Sequence, residues 1–272
     1  ITLIATSLPE AKAKIAESVA IPLLVGEGPL FSGNNLTLTG TAEVSPVSVI
    51  GDIDAVWTPV AFCNLFAGAK IGTGWGFAGA RGLSFNVPSG MDALAVDKSL
   101  AGCVWTVRGG GTLQFDLAAL VPGEWTHIVA QSSHEVFYRA FTGANAGESW
   151  YWENDDGENR NGLCYYGNLF VGYKMPIALE MFGVLAEGQR FLYGAPGGSA
   201  WGDDLVQWYF APIANFRIGD SISIAALVQF RTRRNSVGGT AAYYYQYRDL
   251  DESNPYRVEF YRAGLIATYT IR

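Results

Sequence analysis

The stretch Tyr256-Arg257-Val258-Glu259-Phe260-Tyr261-Arg262-Ala263-Gly264-Leu265-Ile266-Ala267-Thr268-Tyr269-Thr270-Ile271-Arg272 decides how the whole chain is read. A β-strand turns successive side chains to opposite faces, so the stretch divides by parity. One face carries Tyr261, Ala263, Leu265, Ala267, Tyr269 and Ile271, with no charge among them. The other carries Arg262, Gly264, Thr268 and Thr270, mixed with Phe260 and Ile266. Tyrosines bracket the apolar face. A strand of about ten residues, apolar on one side and ringed by aromatics, is what a membrane-spanning barrel strand requires. Strands of soluble domains are usually shorter, with a mode of about five to six residues.

Composition agrees with that reading. Of 272 residues, 49% are apolar and only 16% charged, against about a quarter charged in soluble domains. The apolar residues are spread in alternation, and no run of eighteen or more suggests a transmembrane helix. The 33 glycines, 14 tyrosines and 8 tryptophans suit many strands, tight turns and an aromatic belt. A net charge of −7 and the absence of a basic stripe argue against nucleic acid. No signal-peptide pattern opens the chain, so export is expected from barrel character alone.

The rest of the chain repeats the terminal unit. A strand is expected over 11–24, with a short helix opened by Pro9 over 9–18 as the alternative, and 1–10 as a periplasmic extension. Residues 36–57 change apolar phase at Ser45-Pro46, which marks either a bulge or a hairpin. Strands follow near 61–75, 112–121, 125–139, 163–175, 177–193, 206–216 and 222–233. Short turns at Thr58-Pro59, Pro122-Gly123, Met175-Pro176 and Gly219-Asp220 alternate with long connections near 77–103, 140–162, 194–204 and 235–255. Short turns on one side and long loops on the other are the arrangement of outer-membrane barrels. The expectation is one all-β domain over 1–272, a transmembrane antiparallel up-and-down β-barrel. Reading 36–57 as one kinked strand gives ten strands. Twelve is the alternative, and it needs both a hairpin at Ser45-Pro46 and a strand hidden in a loop.

The segments Thr58-Pro59-Val60-Ala61-Phe62 through Gly72-Thr73-Gly74-Trp75, and the terminal strand, resemble barrel proteins of spirochaete outer membranes. The resemblance implies a bacterial outer-membrane location, a lipid bilayer as surroundings and the barrel-assembly machinery as a partner. Such barrels commonly end in an aromatic residue, whereas this chain ends Tyr269-Thr270-Ile271-Arg272. Either Tyr269 takes that place or the end departs from the rule.

Charges on lipid would cost about 2–4 kcal/mol near the midplane. Lys70, Asp116, Lys174, Glu180, Arg190, Arg217, Arg231, Arg233 and Arg262 are therefore expected to face the lumen. There they either pair across a packed interior or line a pore. Trp75, Tyr173, Tyr261 and Tyr269 are expected at the interfaces. Of three cysteines, Cys103 and Cys164 fall at the outer strand ends and are the pair able to bond; Cys63 lies at the opposite end. The acidic run Glu153–Asn159 has calcium-type oxygens around a glycine but not the regular loop pattern, so a solvated surface loop is expected there ahead of a calcium site. Trp150, Tyr151 and Trp152 form either an aromatic belt or a sugar-binding or adhesive surface. His127 and His134 lie on opposite parities, so no catalytic pair is expected, and neither a metal nor a cofactor is called for. Three functions stay open: a small channel for ions or small solutes, a non-conducting barrel whose outer loops bind a partner, and a soluble carbohydrate-binding sandwich.

Overall fold

The structure, a computed structural model, describes residues 2–7, 12–85, 96–153, 155–196, 201–219, 221–237 and 249–269. The first half of the chain holds β1 (Thr2–Thr6), β2 (Ala13–Pro22), β3 (Asn35–Val44), β4 (Ser48–Val60), β5 (Cys63–Gly74), β6 (Leu83–Phe85), β7 (Val96–Asp97), β8 (Val104–Asp116) and β9 (Ile128–Phe141). The second half holds β10 (Trp150–Trp152), β11 (Gly162–Lys174), β12 (Leu179–Phe191), β13 (Gln207–Ile218), β14 (Ile222–Arg234), β15 (Ser236–Val237), β16 (Asp249–Leu250) and β17 (Tyr256–Tyr269). Twelve of these make one up-and-down antiparallel sheet in the order β1-β17-β14-β13-β12-β11-β9-β8-β5-β4-β3-β2. The expected all-β antiparallel fold is present.

The strand count departs from ten for two reasons. Residues 36–57 are not one kinked strand. Ser45 caps a tight turn around Pro46: its amide donates to the Ser48 carbonyl at 2.9 Å, and its hydroxyl accepts from the Val47 amide at 3.1 Å. Proline fixes the turn's φ and supplies no donor, so β3 and β4 form a hairpin with Val44 opposite Val49. The hidden strand lies in the expected periplasmic extension, where Thr2–Thr6 pair with Gly264–Thr268 of β17.

Sheet order and chain length together force curvature. Strands β1 and β2 are the two edges of the sheet. Eleven strand spacings would part them by roughly 50 Å if the sheet were flat. Only seven residue steps run from Thr6 to Ala13, a reach of about 25 Å at full extension. The sheet must therefore curl until its edges approach.

Curling creates two unlike faces. The convex face carries Ile15, Leu38, Ile53, Leu65, Ile71, Val107, Leu113, Leu169, Val171, Val184, Phe210 and Leu265, all solvent-exposed, with Ile15 and Ile53 at 73% and 69%. Its charges among the described strand residues are Glu17, Arg190 and, at a strand end, Arg234. The concave face carries Thr37, Thr39, Asp52, Asp54, Arg108, Glu135, Glu187, Gln229 and Arg262.

Short turns at 61–62, 175–178 and 219–221 share one end with both termini. The long connections 75–103, 142–161, 192–206 and 235–255 share the other, here termed the loop end. Three connections break the expected segregation: the turn at 45–47 lies at the loop end, and the connections 23–34 and 117–127, the second in place of a short turn at Pro122-Gly123, lie with the short turns. The long loops are also less bare than expected. Strands β6, β7 and β10 pair as a small sheet, and β15 pairs β16. Strand β8 starts at Val104 rather than Thr112, and Leu117–Ala119 is a turn of 3-10 helix begun by the Asp116 side chain. Asp220 and Tyr243–Tyr245 lie outside the described residues.

Glycines on the concave face of β8 and β5 set the packing there. A Cβ on Gly110 would stand 2.1 Å from the His134 carbonyl and 2.6 Å from the Phe66 ring, whereas one on Gly109 meets nothing closer than 3.7 Å. Gly110→Ala is expected to lower stability by about 1–3 kcal/mol, while Gly109→Ala stays within roughly 0.5 kcal/mol. Denaturant unfolding of the two variants checks the contrast.

Candidate functional site

The concave face holds chemistry that adjacent strands alone do not explain. Arg108 on β8 reaches across β5 to β4, donating to Asp52 at 3.0 Å and to Asp54 at 2.5 Å. The residue it passes over is Gly68, paired with Asp54 on one side and Arg108 on the other. A Cβ on Gly68 would lie 2.1 Å from the Asp54 carboxylate, so the bridge exists because that position has no side chain. A second network runs over four strands. The Tyr166 hydroxyl donates to Glu187 at 2.5 Å, Gln229 donates to Glu187 at 2.8 Å, and Arg262 donates to Gln229 at 2.8 Å. Partly buried charges joined in this way carry hydrogen bonds on several of their atoms, which offsets desolvation.

At the loop end, residues 150–160 fold over the mouth of the concave face. Trp150 is fully buried with Leu83, Phe85, Val104 and Phe141. From that anchor, Glu153 accepts from Ser48 at 2.7 Å and pairs with Lys12 at 3.4 Å. Three residues on, Asp156 pairs with Arg231, which also pairs with Glu259 at 2.8 Å. Glu158 pairs with Arg234 at 2.6 Å, and Arg160 is buried against Asp203. One short segment thus ties Lys12, just ahead of β2, and Ser48 of β4 to β14, far apart in the sheet order. The acidic run, expected as a solvated loop ahead of a calcium site, is a strap in which Glu153, Asp156 and Glu158 pair with cations in or beside the sheet. Asn154 lies outside the described residues. Among the described residues, no cluster of three or more His, Cys, Asp or Glu side chains is arranged to hold a metal ion.

Of the nine charges expected in the lumen, Lys70, Asp116, Lys174, Glu180, Arg217, Arg231 and Arg262 take concave positions. Arg233 joins them near Glu259. Glu180 pairs with Arg217, and Asp116 meets His127 at 2.8 Å, both at the short-turn end. Arg190 is the exception. It stands opposite Tyr165 with convex parity near the loop end, where its Nε donates to the Phe191 carbonyl. A long cationic side chain beside a strand end can keep its head in water from that face.

The aromatic expectations divide. Tyr173 is convex at the short-turn end, its hydroxyl donating to the Trp125 carbonyl at 2.8 Å, and Trp75 follows β5 at the loop end. Tyr269 pairs in register with Ile222. Tyr261 is not interfacial. The register of β17 slips between Gln229 and Phe230 of its partner strand, so Phe260 turns convex and Tyr261 turns inward under the Arg231 guanidinium, 4.4 Å away. Trp150 and Tyr151 are buried, so they form no exposed sugar-binding surface. The Cys103–Cys164 bond that the strand ends allowed is not formed. All three cysteines are free thiols, and Cys164 packs into the concave side against Phe137 and Phe191.

The sequence reading missed Arg108, Asp52, Asp54, Glu187 and Tyr166. Arg108 lies in the stretch just before Gly109-Gly110-Gly111, where three glycines hide the alternation of Val104, Thr106 and Arg108 against Trp105 and Val107. On the convex face His134 accepts or donates to Ser132 at 3.0 Å and to the Tyr165 hydroxyl at 2.6 Å, with Tyr165 lying over Gly167. The three polar groups satisfy one another on an apolar surface, as such groups must. Comparison with protein-family models, curated proteins and solved structures finds no match.

Within the strap, Asp155 accepts from Asn159 and from the Trp152 and Gly157 amides. Desolvation by the neighbouring protein pushes its carboxyl up to about 6 against the pull of those donors. Its side chain still touches the water of the mouth, which limits the size of the shift but not its direction. A raised carboxyl favours the uncharged form in the closed strap. The contribution of Asp155 to closure is therefore present while its carboxyl is protonated and is lost as pH climbs through about 6, a range in which the paired carboxylates of the strap stay ionised. Amide exchange at Trp152 and Gly157, corrected for intrinsic rate, is expected to lose protection over that range, and Asp155→Asn is expected to flatten the dependence.

Proposed function

We propose that the curled sheet closes into a twelve-stranded membrane-spanning barrel of the outer-membrane type. Its polar interior is a narrow channel for ions or small solutes, restricted at the loop end by the 150–160 strap. The observation that carries this reading is the contrast between the faces: apolar side chains exposed over the convex side, charged and hydroxylated ones over the concave side. A lipid-facing surface wants the first and a water-filled interior the second. No helix among the described residues is long and apolar enough to cross a membrane, so crossing falls to the strands. Both termini at the short-turn end, with the long loops opposite, fit an outer-membrane orientation. A soluble sandwich would bury its apolar faces between two sheets, whereas here the large sheet leaves its apolar face uncovered.

A second reading, a non-conducting barrel acting through its loops, draws support from the ion pairs that cross the interior. Conductance separates the two. The refolded chain is expected to show a heat-modifiable gel shift only with detergent or lipid, and discrete conductance in planar bilayers. Asp156→Asn combined with Glu158→Gln removes both strap carboxylates that face Arg231 and Arg234, and is expected to raise that conductance. A chain that folds monodisperse without detergent sinks the membrane reading; a folded barrel with no conductance in either form leaves the second.

A further inference from the structure

Beneath the strap a cavity of about 330 Å³ opens on the concave side. That volume lies at the lower end of small-molecule sites, which run from about 300 to 1,000 Å³. Its walls include Asp156 and Asn159 from the strap, Arg139 from β9, Gln189 from β12, Tyr209 from β13 and Tyr261 from β17. The register slip in β17 is what brings Tyr261 there. It meets Tyr209 edge to face, ring centres 5.5 Å apart at 64°.

Three features of the lining bear on what it would hold. First, its charges are already committed: Arg231 to Asp156 and Glu259, Arg139 to Asn159 at 3.2 Å while stacked on Phe137. A charged ligand would meet groups of both signs and gain little from either. Second, among the described residues the Gln189 amide and the hydroxyls of Tyr209 and Tyr261 have no hydrogen-bond partner. They offer donors and acceptors at once. Third, two aromatic rings supply apolar surface beside those polar groups. A molecule whose hydroxyls both donate and accept, and whose C–H faces lie against rings, matches all three.

We propose that this cavity binds a neutral carbohydrate of mono- to disaccharide size. The site names a solute class for the channel reading and rests on it for the route by which sugar arrives, though not for binding itself. The test is calorimetric titration of the full chain, folded in detergent, with glucose and maltose as neutral probes and glucuronate as the charged one. Saturable binding of a neutral sugar is expected, weaker for glucuronate. Gln189→Ala and Tyr209→Phe are each expected to weaken it about tenfold, with the heat-modifiable shift showing that both variants fold. The proposal is overturned by no saturable binding of either neutral sugar, by binding that both variants leave intact, or by tighter binding of glucuronate. Sugar binding without conductance supports the site and removes the channel; conductance without sugar binding keeps the channel and overturns the site.

Discussion

A short connection holds the two edges of a twelve-stranded sheet within reach of each other, and much else follows from that constraint. Thr6 and Ala13 are seven steps apart in sequence yet belong to opposite ends of the strand order. The sheet cannot lie flat. Once it curls, strand parity stops being a local pattern and becomes an inside and an outside. The apolar set is forced onto a surface with nothing over it, and the polar set is gathered into a confined space.

Confinement explains the glycines. Side chains on the concave face point towards one another, so a long one needs an empty position beside it. Arg108 reaches Asp54 over Gly68, and the Phe170 ring lies against Gly172 and Gly183. Each glycine gives up side-chain packing and, in a strand, some backbone order. In return it lets a bridge or a ring span the strand it belongs to. The interior is built from such crossings rather than from an apolar core, and the buried apolar clusters lie near the loop end, around Trp150 and around Phe137.

The strap shows how an acidic segment becomes structure. Read along the chain, Glu153 to Glu158 is a run of like charge that ought to repel itself and seek solvent. In the fold Glu153, Asp156 and Glu158 meet cations in or beside the sheet: Lys12, Arg231 and Arg234. Trp150 fixes one end in a buried apolar cluster, and Arg160 fixes the other against Asp203. Between these anchors lies the cavity whose tyrosines and amides are turned inward.

The sequence by itself determined the strands, their antiparallel order and the parity of most charges, because a two-residue period is local and survives any tertiary arrangement. It also marked the phase change at Pro46, and the structure reads that mark as a turn because Ser45 caps it. What lay beyond local pattern was decided by tertiary structure alone. Thr2–Thr6 became a strand because β17 offered it an edge, and Tyr261 turned inward because a register slip is a property of two strands and not of one. Arg108 found Asp52 and Asp54 across an intervening strand, and the acidic run found its arginines across the mouth. Those pairings join residues from 54 to 76 positions apart, a separation at which nothing in the order of residues says which groups will meet.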